Sequence, residues 1–176
     1  MERKIKSDLI YDGKIIKVFR DEVMTASDKK TYREVVRHRG GVGVLALIDD
    51  KILLVKQYRY PNACYTLEIP AGKLEQDEDV EQCALRELEE ETGYRSNYAF
   101  LISKFLPTPG YSDEWLHIYE AKNLIKVDNP LPGDEDENIE VIMMDIKEAY
   151  RCVIDGQIVD AKTVIAIMHA FINYTL

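Results

Sequence analysis

The chain has little of what marks exported, membrane-spanning or disulfide-built proteins. Its longest unbroken apolar run, Val42–Ile48, is far too short for a bilayer, which takes about 20 residues. The first 19 residues mix charges with apolar residues throughout, so no signal peptide is visible. Only three cysteines occur, Cys64, Cys83 and Cys152, with no paired spacing. An odd, scattered set excludes a disulfide scaffold and predicts reduced, buried thiols in a cytoplasmic protein. The Asn173-Tyr174-Thr175 sequon is then expected to carry no glycan. The three histidines, His38, His117 and His169, lack ligand spacing, and there is no HExxH, CxxC, P-loop or EF-hand pattern. Repeats, low-complexity stretches and linkers are also missing.

What is present is 176 residues, 46% of them apolar, enough for one domain with a real core and a small appendage. Formal net charge is −9, which argues against nucleic acid and anionic membranes as partners. That charge is unevenly placed. Residues 75–91 hold nine acids and one base, Arg86; residues 134–140 hold five acids and no base. These 24 residues carry −13, and the remainder of the chain carries +4. Residues 1–39 are basic, with eleven bases against seven acids.

Coarse patterning predicts a strand-rich front, a central helix, more strands and terminal helices. Residues 8–39 read as short strands, with Lys14–Arg20 and Tyr32–Arg37 joined through a turn at Ser27–Lys30. Val42–Ile48 and Lys51–Tyr58 read as a hairpin about Asp49-Asp50, the first strand buried on both faces. A brief strand at Thr66–Ile69 ends at Pro70-Ala71-Gly72. The spacing is helical from about Glu78 to Thr92, and Gly93 is placed to cap it. Ala99–Phe105, Glu114–Ala121 and Ile139–Met144 follow as strands, with a rigid turn at Pro107–Tyr111. Ile146–Ile154 and Ala161–Tyr174 are predicted helices, the last buried on most sides. This order implies α+β or mixed α/β layering.

Helical geometry makes the first acidic block unusual. With Val80 at zero and about 100° per residue, Cys83, Ala84 and Leu88 define a core-facing arc from ~300° to ~80°. Glu87 at ~340° and Glu91 at ~20° fall on that arc, while Glu89 at ~180° is the one predicted to face solvent. Two carboxylates one turn apart at a core edge repel and are costly to bury. A hard divalent cation relieves both, and Glu90 stands close enough to join. Arg86, four residues before Glu90, can steady a neighbouring carboxylate. Spacing alone leaves two readings open, a solvated acidic face and a metal site.

The run Gly72-x5-Glu78-x7-Arg86-Glu87-Leu88-x-Glu90-Glu91-x-Gly93-Tyr94 resembles the Nudix box, matching its fixed Gly, Glu and Arg positions over 23 residues. Tyr94 departs from the usual aliphatic residue at a packing position. The resemblance implies hydrolysis of a nucleoside diphosphate linked to another moiety. It implies an α/β/α sandwich about a mixed sheet, with an N-terminal antiparallel β-subdomain at 1–39 and the hydrolase domain at 40–176. Carried over by position, Glu87, Glu90, Glu91 and the Ala71 carbonyl would hold metal. Gly72, Glu78, Arg86 and Gly93 would order the box.

The flanks are similar to the ADP-ribose pyrophosphatase branch of that family. They are Tyr58-Arg59-Tyr60-Pro61, Glu68-Ile69-Pro70-Ala71-Gly72, Pro109 placed 16 residues after Gly93, Gly133–Glu140, and Asp160-Ala161-Lys162-Thr163. In that branch the second acidic block overlies the metals. Glu135 would be the general base and Glu137 a metal-associated carboxylate, the assignment between them staying open. Glu87 and Glu91 would complete the catalytic set. Glu68, Arg59 and Glu114 would contact substrate. Arg33 and Glu34, on strands swapped between subunits of a homodimer, would reach the partner's site. At the segment that stacks on adenine in the branch, this chain has Ile15 and Ile16. The implied cofactor is Mg²⁺, with Mn²⁺ the alternative, two or three ions per site. Other nucleoside diphosphate sugars or dinucleotides are alternative substrates, and a non-catalytic ADP-ribose sensor is the alternative class. Structural or surface roles are the simpler expectation for the histidines, and packing for Cys83 and Trp115; Lys162 is open between a helix-start charge and a subunit contact.

Overall fold

The computed structural model describes residues 1–133 and 138–175, and the chain divides into two compact units. The first comprises Met1–Gly40 with Phe105–Trp115; the second comprises Gly41–Lys104 with Leu116–Leu176.

The first unit is an antiparallel meander of β1 (Arg3–Asp12), β2 (Lys17–Met24) and β3 (Lys30–Arg37). β1 starts well before residue 8, and β2 begins and ends later than the sequence suggests. The charges that obscure both strands are cross-strand ion pairs, such as Lys17 with Asp12 at 2.8 Å and Arg20 with Asp8 at 3.5 Å. The 105–115 segment joins this unit through Val36, whose N–H donates to Tyr111 O at 2.8 Å and whose carbonyl accepts from Asp113 N at 3.2 Å. No apolar pattern in that segment announces the pairing, because the contacts are main-chain ones.

The second unit is built on β4 (Gly41–Ile48), β5 (Lys51–Arg59), β6 (Cys64–Glu68), β7 (Ala71–Lys73), β9 (Ala99–Phe105), β10 (Leu116–Ala121) and β12 (Glu140–Asp145); the pair β8 (Tyr94–Arg95) and β11 (Ile125–Lys126) stands apart. The main sheet runs β12-β5-β4-β10-β9, with β6 on β5 and β7 on β4. β4 and β10 are parallel; β4 pairs antiparallel with β5 and β7. Six consecutive residues of β4, Gly41–Ala46, are buried, as its unbroken apolar run implies.

Helix α1 (Val80–Thr92) packs Cys83, Ala84 and Leu88 against Val42, Val44 and Ala46. Side chains alternate across a strand. The intervening Gly43 accordingly points the other way, toward Ile69 and Lys162 of α3 (Ala161–Tyr174). α2 (Ile146–Ile154) lies beside α3, with Tyr150 and Phe171 stacked at 3.9 Å. Helices thus cover both faces of a mixed sheet, giving the α/β/α sandwich.

Several boundaries move. Asp79, not Glu78, begins the box helix: its carboxylate caps the N–H groups of Glu81 and Gln82 at 3.0 and 3.1 Å. Gly93 ends it in the left-handed region at φ 68, donating to Glu89 O at 2.8 Å. β6 starts two residues before Thr66, and β10 two residues after Glu114. α3 is less enclosed than its apolar content suggests. Its buried face includes Lys162 and Thr163, while Ile172 is 59% exposed. Of the thiols expected to be buried, only Cys83 is; Cys152 is half-buried and Cys64 exposed. Trp115, expected to pack, is 44% exposed.

Candidate active site

The site grows from the contact between β7 and α1. β7 is held in register by β4, with Ala71 opposite Gly43 and Gly72 opposite Val42. Glu91, one of the two carboxylates on the apolar arc, is buried and accepts the Ala71 N–H at 2.9 Å. Glu87, one turn earlier, lays its carboxylate on Gly72. A Cβ there would sit 1.9 Å from the Glu87 carboxyl carbon. The glycine is required by this approach alone, since its φ is not in the left-handed region.

Arg86 organises the rest. Its Nε and Nη2 donate to the two oxygens of Glu78 at 2.8 and 3.1 Å. Its Nη1 donates to Glu87 Oε1 and Glu90 Oε2, each at 2.8 Å. Glu78 also accepts the Glu75 N–H at 2.9 Å, which fixes the loop ahead of the helix. The Arg86 guanidinium holds the Glu78 carboxyl down at about 2. One guanidinium thus meets three carboxylates, and the cluster keeps an excess of negative charge.

This donor set suits a hard divalent cation. Glu87, Glu90 and Glu91 are oxygen donors within five residues of one helix, facing a strand that the missing Gly72 side chain lets approach. Their carboxylates are shared between Arg86 and the Ala71 amide, so among the described residues no three ligating side chains converge on one point.

Glu89 corrects the helical-wheel reading. It is 4% exposed, not solvent-facing. Arg95 donates to both its oxygens, Nε at 2.6 Å and Nη2 at 2.7 Å, and the Leu131 N–H adds a third bond at 3.1 Å. The Arg95 bond holds the Glu89 carboxyl below its usual range. The wheel missed this because the covering residues come from outside the helix. Val127 N donates to Gly93 O at 2.9 Å, and a Cβ on Gly133 would lie 3.6 Å from Glu90 O. Residues 127–133 therefore strap the outer flank of α1 and end beside Glu90. Glu135 and Glu137, the expected base and further ligand, lie outside the described residues.

Arg59 and Glu68 come together as one ion pair, a half-exposed guanidinium on a buried carboxylate, rather than as two separate contacts. Arg59 Nε and Nη2 clasp the two Glu68 oxygens at 2.6 Å each, and Thr66 Oγ1 donates to Oε1 at 2.6 Å. Lys162 also donates to Oε2. Burial alone would raise the Glu68 carboxyl, but Arg59 and Lys162 outweigh it and hold it at about 2. Lys162, 8% exposed, is thus a buried partner that the sequence reading did not place in the site. The available signal was its position two residues after Asp160 at the start of the last helix.

Arg33, Glu34 and Glu114 belong to the first unit. Arg33 pairs with Glu2 through Nε at 3.1 Å and Nη2 at 2.5 Å, and Glu34 is exposed. The Ser112 hydroxyl accepts the Glu114 N–H at 3.1 Å, and the Glu114 carboxylate lies 3.3 Å from His38 Nδ1. Ile15 is 54% exposed on the same unit.

Together, the mixed sheet, the capped box helix and the carboxylates around Arg86 define a Nudix hydrolase. Residues 37–165 match the family model described as NUDIX domain, and the chain belongs to that family. It is 41% identical over 169 residues to the ADP-ribose pyrophosphatase of Bacillus subtilis (strain 168), spanning 96% of this chain and 91% of that protein. It is 42% identical over 169 residues, with the same coverage of 96% and 91%, to the methanol dehydrogenase activator of Bacillus methanolicus. The solved structure titled "Crystal structure of ADP compounds hydrolase" shares the fold, with TM-score 0.83 over 95% of this chain and 90% of that one at 21% identity. Proteins of this family generally need divalent metal ions. Among the described residues, no helix is long and apolar enough to cross a membrane.

Proposed function

We propose that this hydrolase cleaves the pyrophosphate bond of ADP-ribose, adding water to give AMP and ribose 5-phosphate. The observation that carries this is the assembled box: Glu87 and Glu90 held by Arg86, with Glu87 laid on Gly72 and Glu91 on the Ala71 N–H. The similarity to an ADP-ribose pyrophosphatase over nearly the whole chain supports the substrate.

Glu87, Glu90, Glu91 and the Ala71 carbonyl would hold Mg²⁺, or Mn²⁺ in its place, as two or three ions with Glu137. The bound ions would offset the charge of the pyrophosphate and activate the water. Glu135, or Glu137 in its place, would take the proton from the attacking water. Arg86, tied to Glu78, keeps Glu87 and Glu90 in place. Arg59 offers its guanidinium to the phosphates, and Glu68 fixes its plane. Glu114 contacts the sugar-nucleotide.

The functional form is a homodimer in the cytoplasm. The first unit has no helix among its described residues. It leaves Leu9, Ile10, Tyr11, Ile15 and Tyr32 half or more exposed, more apolar surface than a lone three-stranded sheet keeps in water. Swapped onto a second copy, these strands would carry Arg33 and Glu34 to the partner's substrate.

A panel with Mg²⁺ tests the reading: ADP-ribose, GDP-mannose, a dinucleoside polyphosphate and nucleoside triphosphates. ADP-ribose is expected to give the highest kcat/KM, by at least about tenfold. Turnover confined to nucleoside triphosphates sinks the assignment. Tight ADP-ribose binding without turnover under any divalent ion supports a sensor instead. Similarity to a methanol dehydrogenase activator supports a second reading, stimulation of a dehydrogenase. An increase in the rate of a methanol dehydrogenase on adding this chain tests it.

A further inference from the structure

Lys162 poses a question that helix docking does not answer. The start of α3 is already tied to the β6–β7 connection without it. Asp160 Oδ2 caps the helix by accepting the Thr163 N–H at 3.0 Å and its hydroxyl at 2.5 Å. Thr163 Oγ1 in turn accepts the Ile69 N–H at 2.9 Å. A buried ammonium is costly to keep. This one is kept with its stem passing Gly43, where a Cβ would stand 3.6 Å from the Lys162 Cδ. Its Nζ reaches Glu68 Oε2 and lies 3.0 Å from Asp160 Oδ2.

Its effect falls on Glu68. Oε1 takes Arg59 Nε and the Thr66 hydroxyl, and Oε2 takes Arg59 Nη2 and Lys162. Four donors on two oxygens fill the carboxylate and fix its plane, and the Arg59 guanidinium must lie in that plane to keep both bonds. The clasp uses the Nε edge and leaves Nη1 outside it, on a side chain that is 38% exposed. Lys162 divides its charge between Glu68 and Asp160, so what it contributes to Arg59 is the fixed plane of the Glu68 carboxylate.

We infer that Lys162 is a positioning residue for substrate binding: by sharing Glu68 it holds the Arg59 guanidinium oriented toward the phosphates of a nucleoside diphosphate sugar. The inference rests on the substrate reading given above. It concerns ground-state binding, so KM should move and kcat should not.

The test is steady-state kinetics of the full chain with ADP-ribose and saturating Mg²⁺. Wild type is measured first; failure to turn over any nucleoside diphosphate sugar overturns the functional reading, and this inference with it. Given turnover, Lys162→Met and Lys162→Gln are expected to raise KM about tenfold, with kcat within about threefold. Lys162→Arg is expected to recover most of that loss. In an Arg59→Ala background, Lys162→Met is expected to add less than about twofold to KM, because its effect runs through Arg59. A fall in kcat at unchanged KM, or an undiminished effect without Arg59, overturns the role while leaving the substrate reading intact. Loss of folding in both the Met and Gln variants assigns Lys162 to the scaffold and also overturns it.

Discussion

Gly72→Ala separates stability from activity sharply. Gly72 has an ordinary backbone conformation, so alanine meets no φ penalty. The new methyl would stand 1.9 Å from the Glu87 carboxyl carbon and 2.3 Å from Oε2. That neighbour is the far end of a flexible side chain, so Glu87 swings away and the strand stays. Such local overpacking costs about 1–3 kcal/mol. For a chain of this size each kcal/mol lowers Tm by roughly 2–4 °C. The displaced carboxylate loses Arg86 and its place against β7. If Glu87 holds a catalytic cation, turnover should fall about 10²–10³-fold, the scale of losing one preorganised charge contact. The assay pairs thermal melting with initial rates on ADP-ribose. In a Glu87→Ala background the added methyl finds open space and should cost no further stability or activity. Activity within about threefold of wild type would refute the placement of Glu87 in the site. A collapse of the fold would refute the claim that only a side-chain end stands in the way.

Other expectations follow from the buried contacts. Thr163→Val leaves the Ile69 N–H without its acceptor, which should cost about 1–3 kcal/mol in denaturant unfolding. Glu89→Ala removes the acceptor for the Leu131 N–H, so hydrogen exchange at Leu131 should speed up selectively while exchange in β4 stays slow. Glu68 has a depressed carboxyl, at about 2 against an ordinary 4.5. Its stabilising contribution is present in full above about pH 4.5 and lost as pH falls toward 2. Glu68→Gln should flatten unfolding free energy against pH in that window, and an unchanged slope would deny the charge on Glu68 a role.

Much of the second unit was legible in the sequence because its signals are local. The seven-residue apolar run gave β4, and apolar spacing with Gly93 gave α1. The same spacing put Glu87 and Glu91 on the core-facing arc, where they lie. What stayed hidden depends on partners distant in sequence. Glu89 is solvent-facing on an isolated helix and buried once Arg95 and the Leu131 backbone cover it. Arg59, Glu68 and Lys162 span more than a hundred residues, and no periodicity links a strand end to a helix start. Strands β1 and β2 were blurred because their charges pair across the meander instead of alternating with apolar residues.

The central claim is hydrolysis of a nucleoside diphosphate sugar at the carboxylates of α1. It is tested most directly by following products from ADP-ribose in wild type and Glu91→Gln, with Mg²⁺ and after chelation. The expected result is AMP and ribose 5-phosphate in equal amounts with Mg²⁺, none after chelation, and turnover at least about 10³-fold lower in Glu91→Gln. Equal product formation by the variant, or by the chelated enzyme, would contradict it.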